Sequence, residues 1–98
     1  MNKVLVMCKK TGQSKAFKKD AEAYRENNNL PFEWVFADEN EYVDVLDGVD
    51  VVLMSPEMIL VQAKVKEDLS KRGVKYLDIK PVDFGLRRID NILKLLGL

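Results

Sequence analysis

At 98 residues, with 16 basic and 16 acidic side chains, the chain is the size of one domain and carries no formal net charge. That balance argues against nucleic acid or a membrane surface as the main partner, and no apolar run approaches the roughly 20 residues needed to span a bilayer. One cysteine excludes an internal disulfide, a Cys-rich zinc site and a CxxC redox pair, and the lack of histidine excludes Ser-His-Asp and Cys-His catalysis, His-ligated metals and a phosphohistidine on this chain.

The apolar stretch within MNKVLVMCKK is too short for a signal peptide. A cytoplasmic, reducing location is therefore expected, which suits a lone thiol. Lys3 to Met7 reads as a buried strand that delivers Cys8 to its end. From Ser14, a plausible N-cap, the period turns helical, with Phe17, Ala21 and Tyr24 on one face. That helix stops at Asn27-Asn28-Asn29, with Pro31 just beyond. Phe32 to Ala37 predicts a second strand, with Trp34 as core on an inner strand. Asn40 to Leu46 predicts a short helix ended by Gly48, with Tyr42 as a solvated aromatic.

Asp50 to Met54 is the third strand, broken by Ser55-Pro56. Met58, Val61, Val65 and Leu69 mark a helix closing near Arg72-Gly73. Lys75 to Ile79 is the fourth strand, and one last helix after Pro81 carries Ile89, Ile92, Leu93 and Leu96 on a single face. Strands alternating with helices predict one α/β domain over residues 1–98, with a parallel sheet and right-handed crossovers. VLVM and DVVLM are apolar on both sides, as strands covered on both faces must be. Ligands of such sheets sit beyond the carboxyl ends of the strands, where strand order reverses, here between the first and third strands. Cys8 and Ser55 end those two strands.

The segment CKKTGQS leads from a strand into a helix N-terminus, where unpaired N–H groups and the helix dipole favour phosphate and lower a cysteine's pKa. Gly12 is expected to allow a tight turn, Thr11, Gln13 and Ser14 to add donors, and Lys9, Lys10, Lys15, Lys18 and Lys19 to make the surroundings basic. Three chemistries use such a loop. Low-molecular-weight tyrosine phosphatases need an arginine six residues after the cysteine, where this chain has Ser14. Receiver domains need an aspartate at the end of the third strand, where this chain has Met54-Ser55. A flavodoxin-like flavin mononucleotide site needs a TxTGxT-like loop, which KKTGQS matches in part, yet Trp34 and the tyrosines form no obvious flavin sandwich.

Taken together, Cys8, Thr11, Gly12 and Ser14, the turn Ser55-Pro56-Glu57, and Asp78 followed by Pro81, Asp83, Phe84 and Gly85 resemble the IIB component of the sugar phosphotransferase system, in its lactose and chitobiose/cellobiose branch. The likeness runs over nearly the whole chain. It implies a three-layer, four-stranded parallel open sheet in the order 2-1-3-4 with helices on both faces. It also implies a phosphotransferase in which Cys8 is the phosphocysteine nucleophile and Lys9, Lys10, Thr11, Gly12, Gln13 and Ser14 form the phosphate loop. Ser55, Pro56 and Glu57 would rim the site. A IIA phosphohistidine would donate, and a disaccharide bound by a membrane IIC permease would accept. No cofactor or metal is implied. Lys9, Lys10, Gln13 and Glu57 depart from the family pattern, and a drifted, non-catalytic relative is the alternative beside the flavin reading.

Overall fold

A computed structural model describes residues 1–98. The chain forms a four-stranded parallel sheet in the order β2-β1-β3-β4, from β1 (Lys3–Met7), β2 (Glu33–Ala37), β3 (Val51–Met54) and β4 (Tyr76–Asp78). The expected order therefore holds. The inner positions fall to β1 and β3, whose residues Val4 to Met7 and Val51 to Met54 are all buried. Strands with no polar residue to show to water are stable only between two covered faces. Trp34 is core, as expected, but it lies on the edge strand β2 rather than an inner one.

Alternate side chains of the inner strands feed two cores. Val4, Val6, Val51 and Leu53 pack under α1 (Gly12–Asn28), α3 (Pro81–Gly85) and α4 (Ile89–Leu95), with Phe17 stacked on Phe84 at 4.8 Å between ring centroids. Leu5, Met7, Val52 and Met54 pack under α2 (Gln62–Lys71) and two short 3₁₀ turns, Tyr42–Val45 and Pro56–Met58. Those turns replace the expected short helix over 40–46 and the first turn of the expected helix from Met58. The last expected helix is two, α3 and α4. The break is at Arg87, which takes a left-handed φ of 53° while its guanidinium pairs with Asp20 of α1 at 2.6 Å. Left-handed backbone costs a non-glycine residue roughly 1–2 kcal/mol, and apolar spacing carries no sign of it. Tyr42 is not solvated: it is buried and donates to Asp68 at 2.5 Å.

Candidate functional site

Cys8 continues the alternation of Val4 and Val6, so its side chain belongs to the α1 face of the sheet. Its N–H donates to the Ala37 carbonyl at 3.0 Å, and the Met7 carbonyl accepts from Ser55 N–H at 3.1 Å. The thiol residue is thus clamped between the ends of β2 and β3. It is 8% exposed, at the rim of the core rather than inside it.

The following loop is held by a reciprocal cap. Thr11 is the N-cap of α1: its Oγ1 accepts Ser14 N–H at 3.1 Å, and its own N–H donates to Ser14 Oγ at 2.9 Å. Ser14 also donates to the Lys9 carbonyl. Ser14 is therefore the third helical residue, not the N-cap, and its buried hydroxyl is spent on the loop itself rather than free for a ligand. Gly12 opens the helix with ordinary backbone, and a Cβ there would meet nothing within 4 Å. The tight-turn role expected of Gly12 is not needed. Gln13 reaches over Gly85, its Nε2 lying 3.3 Å from where a Cβ would stand. The N–H groups of Lys10, Gly12 and Gln13 have no acceptor within the chain. Those of Gly12 and Gln13 are orphan donors that the head of a helix presents, and Lys10 lies just before the N-cap.

On the β3 side the loop is closed. Glu57, in the 3₁₀ turn after Ser55, accepts Lys9 N–H on Oε1 at 2.9 Å and the Thr11 hydroxyl on Oε2 at 2.5 Å. Pro56 starts that turn. Ser55 is buried, and its Oγ has no partner. A carboxylate thus already occupies donors that the sequence reading leaves free for phosphate.

On the β2 side the loop is open. A cavity of about 330 Å³ lies beside Cys8, walled by Lys9, Lys10, Ser14, Lys15 and Lys18 on one side and by Phe36, Ala37, Asp38 and Glu41 on the other. Thr11, Gly12, Gln13, Ser55, Pro56 and Glu57 do not line it. Lys9 pairs with Glu39 at 2.8 Å and Lys10 with Glu41 at 3.0 Å, so their charges are largely balanced. Lys15 and Lys18 have no ion-pair partner, and Lys18 Nζ lies 5.6 Å from the Phe36 ring centroid. The acidic wall was not read from the sequence. Its signal is the run Asp38-Glu39-Asn40-Glu41 directly after β2, which parallel pairing of Met7 with Ala37 brings beside Cys8.

These surroundings push the Cys8 thiol up from an ordinary 9.0 to about 12. Burial is the largest cause and the Glu57 carboxylate the next, with Asp38 and Glu41 adding to them and Lys18 opposing. The expected lowering is overturned, because burial and three carboxylates outweigh the one lysine that opposes them. The resting residue is a protonated thiol.

The fold is one shared by solved IIB components of the sugar phosphotransferase system. The chain is similar to the cellobiose-specific phosphotransferase IIB component protein from Borrelia burgdorferi, with a TM-score of 0.77 and 22% identity over 96% of this chain and 86% of that one. It is also similar to the lactose-specific IIB component domain from Streptococcus pneumoniae, with a TM-score of 0.70 and 15% identity over 88% and 83% of the two chains. At such identities the likeness is one of fold. No family model and no curated protein matches the chain. No helix is long and apolar enough to cross a membrane.

Proposed function

We propose that residues 1–98 act as a cytoplasmic IIB-like phosphocarrier domain with Cys8 as its phosphoryl acceptor. The observation that carries this reading is the single thiol at the end of β1, bordering an open cavity lined in part by the unpaired Lys15 and Lys18, with the unpaired N–H groups of Lys10, Gly12 and Gln13 in the loop that follows. Such a set suits a dianionic group held on sulfur. The donor is a phosphohistidine on a IIA partner, since this chain has no histidine. Cys8 Sγ attacks phosphorus, the P–N bond breaks, the S–P bond forms, and the thiol proton goes to the departing imidazole nitrogen. In the second step a hydroxyl of a disaccharide of the chitobiose, cellobiose or lactose type, held by a membrane IIC permease, attacks phosphorus. The S–P bond breaks, and the hydroxyl proton returns to sulfur.

A raised thiol pKa is compatible with this chemistry. At neutral pH almost all of the thiol is protonated. Phosphoryl transfer runs through a loose transition state that asks little of the nucleophile, so positioning and charge matter more than prior ionisation. The same protonated state shields a lone thiol from oxidation. No arginine stands in the loop to speed attack by water, which suits a carrier rather than a phosphatase. The test is labelling by a phosphorylated IIA protein, which Cys8→Ser should abolish; persistent labelling of that variant rejects Cys8. A fluorescence titration with flavin mononucleotide tests the rival reading, and tight binding would make the chain an electron carrier instead.

A further inference from the structure

We propose that Glu57 is an internal anion that occupies the Cys8–Ser14 loop while the thiol is free and is displaced when a phosphate-like group enters. This rests on the phosphocarrier reading of Cys8 and adds a residue to it. The geometry is that of a bound ligand: one carboxylate spans a backbone N–H and a hydroxyl of the loop, at 2.9 and 2.5 Å, across 48 and 46 residues of sequence. Nothing else holds the Lys9 N–H. Glu57 also faces the thiol electrostatically, and it is the largest charge effect disfavouring ionisation of Cys8.

A phosphoryl group on Cys8 would bring about two negative charges to the same corner. Two anions sharing one set of donors repel each other, so either the carboxylate leaves or the phosphoryl group is held poorly. Glu57 sits in a three-residue 3₁₀ turn anchored by buried Ser55 and Met58, so its displacement is a movement of the side chain and not of the turn. The consequence is a carrier biased toward handing its phosphoryl group on. The returning carboxylate competes for the donors that would stabilise phosphocysteine.

Glu57→Gln is the informative variant. It keeps the size of the side chain and one acceptor for Lys9 N–H, removes the charge, and turns the second oxygen into a donor. Two readouts use the chain alone, so they stand or fall apart from the transfer reaction. The first is the rate of Cys8 alkylation by iodoacetamide at mildly alkaline pH. Removing one neighbouring negative charge should raise the thiolate fraction and speed alkylation about three- to tenfold. The second is a titration with inorganic phosphate followed by amide NMR. The Lys9 and Thr11 signals should shift at lower phosphate concentration in Glu57→Gln than in the native chain. Glu57→Ala should behave like Glu57→Gln if charge is what matters. Equal alkylation rates together with equal phosphate titrations in native chain and variants would overturn the inference, even if Cys8 proves to be phosphorylated. If both readouts differ as expected and no phosphoryl transfer is found, Glu57 is still an internal anion, and it is the carrier reading that fails.

Discussion

The two flanks of Cys8 differ more than the sequence around it suggests. Toward β3, the loop's donors are matched by the Glu57 carboxylate and nothing is open. Toward β2, Lys9 and Lys10 are neutralised by Glu39 and Glu41, yet a cavity remains, with Lys15 and Lys18 unpaired beside the thiol. The difference teaches that a lysine count is a poor guide to where an anion goes. Balanced charges contribute little, and the unbalanced ones decide the side of approach. Under the proposed carrier reading, the donor protein is expected to approach Cys8 from the β2 flank.

The largest effect expected concerns the thiol itself. If Cys8 is buried among carboxylates, its folded-state value near 12 exceeds its unfolded value near 9.0. The native state then holds a proton that the unfolded chain has released. Stability is fully present below the unfolded value and falls as pH rises through this window, by up to about 1.4 kcal/mol per pH unit. Tyr42, raised from 10.0 to about 12, pulls the same way, so the contrast with Cys8→Ser isolates the thiol. Chemical denaturation at several alkaline pH values should give a shallower decline in Cys8→Ser. Parallel declines would mean that Cys8 sits as if on an open, solvated flank.

Next in size is the lysine contrast. Lys15→Ala with Lys18→Ala should slow phosphoryl acceptance about tenfold or more, whereas Lys9→Ala or Lys10→Ala should change it by no more than about twofold. Rates from intact-mass time courses at low salt decide this, and the reverse ranking would break the comparison between flanks. Thr11→Ala should lower stability by about 1 kcal/mol in a denaturant titration, because it removes the N-cap and one bond to Glu57. The smallest effect is Gly12→Ala. With no neighbour to meet and ordinary backbone, it should raise stability by about 0.5–1 kcal/mol and leave acceptance unchanged.

Much of the fold was legible because burial on both sides leaves a plain trace. VLVM and VVLM admit only inner strands, and alternation with helices leaves one hand of crossover. The same pattern puts Cys8 at the carboxyl end of β1, where the structure has an open cavity beside it. What escaped was set by a local competition for the cap of α1 and by contacts distant in sequence. Ser14 looks like an N-cap until Thr11, three residues earlier, takes the position and turns Ser14 into its reciprocal partner. The last helix looks continuous because Arg87 bends the backbone without interrupting the apolar spacing. The sequence, by its resemblance, puts Glu57 only at the rim of the site and gives the run from Asp38 to Glu41 no role. Only the parallel register of β1 with β2 and β3 brings them to Cys8, where their charges add to burial, the larger cause, in reversing the expected shift of its pKa.

The most direct measurement is an amide NMR map of the chain before and after incubation with phosphoenolpyruvate and the general and IIA phosphotransferase components, with mass analysis of Cys8 on the same sample. The predicted result is one phosphoryl group on Cys8, with the largest shifts at the unpaired amides of Lys10, Gly12 and Gln13, smaller ones at Lys9 and Thr11, and the sheet unchanged. A modified Cys8 with the largest shifts in α4, from Ile89 to Leu95, and still loop amides would contradict the loop as the holder of the phosphoryl group. An unmodified Cys8 would contradict the carrier reading altogether.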